Sequence, residues 1–171
     1  MRILGLDPGS IRTGYGLVDK DGPRLRLVEA GVLPCPRAAP LADRLTRLAG
    51  GLAALVERSA PATVALETPF HHRVHGNSRS LIVLAQARGA LLSVLGGRGL
   101  EVREYSPAEV KSAVTGDGRA GKQQVARMVR LLLSLDGDPL GADAADAVAV
   151  AICAAKRLRA DRISALHGRS K

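Results

Sequence analysis

RILGLDPGSIRTGYGLVD, residues 2–19, is the stretch on which the fold turns. Apolar residues run from Ile3 to Leu6 and stop at an aspartate followed by Pro8-Gly9, so 2–7 reads as a buried strand closed by a turn. GYGLVD at 14–19 reads as a second strand. The Asp21-Gly22-Pro23 turn then leads into LRLVEAGVL at 25–33, a third. Three strands so close in sequence form an antiparallel meander. The first of them is apolar enough to lie in the middle of a sheet, and it ends on a charge, Asp7.

Working outward, Leu41, Leu45, Leu48, Leu52, Leu55 and Val56 have helical spacing and predict an amphipathic helix over 41–58. TVALE at 63–67 is a short apolar strand, and a helix between two strands implies a crossover with parallel pairing. A polar loop, PFHHRVHGNSRS, precedes an apolar helix at 80–95, and EVREY at 101–105 reads as a fifth strand. Ser106-Pro107 then opens a helix with an N-cap and a first-turn proline. The loop TGDGRAGK leads to a helix at 123–135, and the last helix spans about 142–157. The expected fold is α/β: a mixed five-stranded sheet with helices on both faces. Residues 1–157 form one domain, and 158–171 a basic, flexible tail.

Of the 171 residues, 46% are hydrophobic and only 2% aromatic, so the core is aliphatic. Twenty-five Lys and Arg against 16 Asp and Glu give a net charge of +9. That balance favours a polyanion partner over a purely solubilising surface. No apolar run reaches the roughly 18 residues needed to cross a bilayer, and the apolar start is too short for a signal peptide. The expectation is a cytoplasmic protein with no membrane partner. Cys153 lies in an apolar helical run and reads as core; Cys35 sits between prolines, and no role is assigned to it.

The chemistry rests on four acids. Asp7 and Glu67 each end an apolar strand expected to neighbour the other, where two carboxylates repel unless a cation lies between them. Open α/β sheets place ligands beyond such carboxyl ends. Asp7 also fits a turn aspartate at the Asp-Pro-Gly corner. Asp143 and Asp146, at i and i+3 in GADAADAVAVAIC, share one helical face that continues through Ala147 and Val150 toward the core. A favourable helix N-terminus explains the sign of these two acids but not their shared face. An all-oxygen donor set suits Mg²⁺ or Mn²⁺, not zinc. Two ions about 3.5–4 Å apart promote phosphodiester hydrolysis.

With ILGLDPGSIRTGYGLV (3–18), ALETPF (65–70), NSRSLIVLAQARG (77–89), VKSAVTGDGRAGKQQV (110–125) and ADAADAVAVAI (142–152) in order, the chain resembles the RuvC family of bacterial Holliday junction resolvases along nearly its whole length. The resemblance implies an RNase H-like fold. It also implies a homodimer that nicks a four-way DNA junction symmetrically, and a possible branch-migration complex as partner. Asp7, Glu67, Asp143 and Asp146 match the family's acidic tetrad, the ligands of Mg²⁺ or Mn²⁺, two ions per active site. Lys111 and Lys122 match its two basic catalytic residues, and Phe70 the aromatic residue that stacks on a junction base.

From the residues themselves, Lys122 follows a Gly-rich loop and can reach a phosphate. Phe70, the only phenylalanine, lies in a polar loop where a ring can stack on a base or anchor the core. Arg73, Asn77, Arg79 and Arg119 are candidate DNA contacts, with Arg88, Arg127 and Arg130 as further phosphate contacts. His71, His72 and His75 lie in the same loop as Phe70 and can contact DNA or serve as plain surface. The 80–95 helix is apolar enough to bury a face, either in a two-fold interface with Gly89 allowing close approach or within its own chain. Three other readings stand beside this one. An ATPase of the actin and sugar kinase group shares the Asp-x-Gly loop but needs two such domains. An RNA-directed relative and a non-catalytic junction binder are the others.

Overall fold

In the computed structural model, which describes residues 1–35, 38–68, 78–137 and 140–167, the elements follow the expected order. They are β1 (Arg2–Asp7), β2 (Arg12–Asp21), β3 (Arg24–Pro34), α1 (Leu41–Ser59), β4 (Thr63–Glu67), α2 (Ser78–Gly96), β5 (Val102–Tyr105), α3 (Pro107–Thr115), α4 (Lys122–Leu132) and α5 (Ala142–His167). The sheet order is β3-β2-β1-β4-β5, antiparallel through the meander and parallel from β1 through β4 to β5. β1 is therefore central, flanked on both sides, and its Ile3, Leu4 and Leu6 are fully buried.

Strand alternation divides these apolar residues between two cores. Leu4, Leu6, Val64 and Leu66 point toward α1 and α2, where Leu48, Leu52, Leu55, Leu91 and Leu95 complete one cluster. Ile3 and Ala65 point the other way, into a cluster built from Val110 and Val114 of α3, Val125 and Val129 of α4, and the small residues of α5. Each fully buried Leu or Ile contributes roughly 1.5–3 kcal/mol over its exposed state. Both cores are therefore mostly aliphatic, but each also takes in one of the two tyrosines, Tyr105 beside α3–α5 and Tyr15 beside α1 and α2, so the purely aliphatic core expected from composition is corrected.

α5 lies directly on the sheet because three glycines leave it room. A Cβ on Gly5 would stand 2.6 Å from the Ala151 nitrogen, and one on Gly16 2.8 Å from the Val148 Cα. At Gly14 it would meet the Asp143 carbonyl group, 2.7 Å from its carbon. Alanines on the helix side, among them Ala147 and Ala151, complete the close fit.

Two helix ends differ from expectation. α5 continues to His167, through residues assigned above to the tail, because Leu, Arg and Ala are strong helix formers. α4 stops at Leu132 rather than 135, as Ser134 takes a positive φ of 51° and turns the chain. Ser106 caps α3 as expected. It accepts from the Glu109 backbone N–H while the Glu109 carboxylate accepts from the Ser106 backbone N–H, a complete capping box.

Candidate active site

The site forms at the carboxyl ends of β1 and β4. The two strands run parallel with Leu6 opposite Leu66, so Asp7 and Glu67 follow side by side on neighbouring strands. Alternation from Gly5 and Ala65 turns both toward α5. Asp7 pairs with Gly14 of β2, and the Asp143 backbone rests on that same glycine. One helical turn later, Asp146 lines a small open cleft together with Glu67, Lys111, Lys122, Pro107, Val110, Val125 and Ala149. Four acids from three parts of the sequence thus reach one end of the sheet.

Asp143 and Asp146 of α5 each have a cation against them. Lys122 Nζ donates to Asp146 Oδ2 at 3.3 Å, its side chain 70% exposed. Arg12 Nε lies 3.0 Å from Asp143 Oδ2. Asp143 also sits in the first turn of α5, where the helix dipole favours negative charge. Among the described residues the carboxylates do not stand as a closed three-ligand cage. The ligand chemistry is nonetheless right for a hard divalent ion: carboxylate oxygens alone, from adjacent strands and an overlying helix, with the two helix acids held by side chains exposed enough to swing away.

Lys111 of α3 is half-buried and faces the cleft. Arg119 is exposed in the turn before α4, where the Asp117 carboxylate accepts from its backbone N–H. Phe70, Arg73, Asn77 and the loop histidines lie outside the described residues, as does the side chain of Arg79. Arg88 corrects an expectation. It is no surface cation: its side chain is only 13% exposed, donates to the Glu67 carbonyl oxygen at 3.0 Å and pairs with Glu104 at 2.6 Å. It ties α2 to the ends of β4 and β5 and so fixes where Glu67 stands. Arg12 and Gly14 were also missed as site residues. The Asp143 partner of each lies at the far end of the chain, and sequence spacing carries no signal of that contact.

In α2, Ala87, Leu91 and Leu95 are buried within the chain, whereas Leu81 and Ile82 are 41% and 58% exposed. Among the described residues, nothing beyond its own stretch of helix comes within 4 Å of a Cβ placed on Gly89. Among the described residues no helix is long and apolar enough to cross a membrane.

Residues 3–154 match the family described as crossover junction endodeoxyribonuclease RuvC. A crossover junction endodeoxyribonuclease RuvC of Halorhodospira halophila is 50% identical over 98% of this chain and 97% of its own length. The Thermus thermophilus RuvC structure superposes with a TM-score of 0.85 at 32% identity, over 94% of this chain and 97% of that one. The same protein in complex with a Holliday junction substrate gives 0.86 at 32% identity, over 94% and 96%.

Proposed function

The chain belongs to the RuvC family of crossover junction endodeoxyribonucleases, and on that premise we propose that it resolves four-way DNA junctions by paired symmetric nicks, with Asp7, Glu67, Asp143 and Asp146 as its metal-binding carboxylates. The observation that carries the reading is the arrival of four carboxylates at the end of the central strand pair, in a protein of net charge +9. A non-catalytic junction binder has no use for such a set, and an ATPase of the actin type needs a second domain to enclose its nucleotide.

The four acids would hold Mg²⁺ or Mn²⁺, two ions per active site. Such ions, when bound, polarise the scissile phosphate and lower the pKa of a water molecule. The rest falls to the chain itself. Asp7 and Glu67, set by β1 and β4, present a fixed anionic edge to which the substrate strand must be aligned. Lys122 exchanges Asp146 for a non-bridging phosphate oxygen, where its charge matches the charge that grows in the transition state. Lys111, which lines the same cleft, adds a second cation. Hydrolysis breaks the bond between phosphorus and the 3′-oxygen. Arg119 and Lys122, with Phe70, Arg73, Asn77 and Arg79, form the DNA surface; phosphate contacts position the strand and the Phe70 ring stacks on a base.

The partner in assembly is a second copy. Leu81 and Ile82, exposed near the start of α2, offer a two-fold face that would place two equivalent sites on a pseudo-symmetric junction. A branch-migration complex is a further partner, and the cytoplasm the setting.

The test is cleavage of a synthetic four-way junction, matched duplex DNA and structured RNA, with and without Mg²⁺, and with nick positions mapped. Paired symmetric nicks confined to the junction and dependent on the metal are expected. Preferential cutting of the RNA, or cutting without a divalent ion, overturns the reading.

A further inference from the structure

We propose that Arg12 is a built-in counterion that holds Asp143 in the metal-free protein and must leave it when a divalent cation enters, so that it sets the affinity of the site for metal. The inference rests on the proposed metal-binding role of Asp143. It follows from geometry that the role does not itself require. Arg12 opens β2, two residues before Gly14, and Asp143 lies over that glycine on α5. The guanidinium Nε stands 3.0 Å from Asp143 Oδ2.

The Asp143 backbone rests directly on Gly14, which holds the start of the helix, and with it the acid, against the sheet. The Arg12 side chain is 62% exposed and has solvent to move into, against 40% for Asp143. The rigid partner and the movable one are therefore distinct.

A metal ion and the guanidinium cannot both stay. A divalent ion bound through either oxygen of Asp143 brings two positive charges within a few ångströms of a third. The repulsion scales with the product of the charges and inversely with their separation. Arg12 then competes with the ion for one carboxylate. Lys122 does the same at Asp146, but it belongs to the proposed catalytic set, whereas Arg12 is outside it. The metal-free protein thereby avoids leaving adjacent carboxylates to repel one another, at the cost of weaker metal binding.

Because the pair is largely exposed, its strength is that of a surface ion pair, which sets the expected effect at about two- to fivefold in affinity. Calorimetric titration of Mn²⁺ into the DNA-free protein at low ionic strength tests this. Arg12→Gln should bind Mn²⁺ about two- to fivefold more tightly than wild type, and Arg12→Lys should fall between the two. The gain should shrink as salt screens the pair.

A double-mutant cycle separates this role from the general removal of a positive charge. In an Asp143→Asn background, the Arg12→Gln gain should vanish. An equal gain in both backgrounds, or none in the wild-type background, overturns the proposal. Asp143→Asn alone should weaken Mn²⁺ binding. If it does not, the metal-site assignment fails first and the role of Arg12 falls with it. Circular dichroism on each variant confirms that the fold is kept.

Discussion

Gly14→Ala probes the joint on which the site depends. The added methyl would stand 2.7 Å from the Asp143 carbonyl carbon and nearer still to its oxygen. Ordinary contact with that carbon begins at 3.4 Å, so the helix start must retreat by about 0.7 Å at the carbon and more at the oxygen. β2 cannot yield instead, because it is held between β1 and β3. The substitution should lower stability by about 1–3 kcal/mol, the usual result of forcing a methyl into a packed core. At about 2–4 °C per kcal/mol for a chain of this size, that is a clear drop in Tm. The larger effect falls on chemistry. Asp143 and Asp146 would shift relative to Asp7 and Glu67 by nearly an ångström, and a misplacement of that order costs about 100-fold in rate. Single-turnover cleavage of a four-way junction, well below the variant's Tm and at saturating protein, isolates that term. Junction binding should change little, since the basic surface is untouched. A folded Gly14→Ala protein that cleaves at the wild-type rate would refute the claim that the α5–β2 contact sets the site.

Other perturbations follow from the same structure. Asp7→Asn should keep junction affinity in a gel-shift assay while losing cleavage by at least about 100-fold; unchanged cleavage removes the residue from the site. Gly50 lies within α1, and among the described residues nothing beyond its own helix is in reach of a new Cβ, so Gly50→Ala should raise stability by up to about 1 kcal/mol in a melting experiment. The Glu29 carboxyl is held down to about 2, first by hydrogen bonds from Arg58 and then by the Tyr15 hydroxyl. Its folded pKa lies below the unfolded value of roughly 4.3. Its contribution is therefore complete above that value and lost as pH falls toward 2. Glu29→Gln should accordingly flatten the acid limb of a Tm-versus-pH curve. Ile82→Glu places a charge on the exposed start of α2 and should convert a sedimenting dimer to a monomer; a wild-type monomer at micromolar concentration removes the dimer from the account.

Local signals carried most of the fold. The apolar run into Asp7, the leucine spacing of α1, the TVALE strand and the Ser106-Pro107 start each reflect interactions within a few residues, and each appears where the pattern puts it. The reach of α5 to His167 escaped because a basic stretch without an apolar face looks like a tail, although its residues favour helix. At the candidate site, Asp7 and Glu67 stood out from the cost of ending apolar strands on charges, and Asp143 and Asp146 from their shared helical face; the structure brings all four to one end of the sheet. Their neighbours were less legible. Arg88 looked like one more surface cation until α2 set it against Glu67 and Glu104. Arg12 and Gly14 acquire their partner, Asp143, only when the last helix folds back over the first hairpin. Long-range contacts of this kind leave no period in the sequence.

Anomalous diffraction from crystals grown with Mn²⁺ measures the central claim most directly. The account predicts manganese peaks within coordination distance, about 2.0–2.3 Å, of carboxylate oxygens from Asp7, Glu67, Asp143 and Asp146, with Arg12 turned away from Asp143. Manganese bound only at other surface carboxylates, with this corner of the sheet empty and the Arg12–Asp143 pair intact, would contradict it.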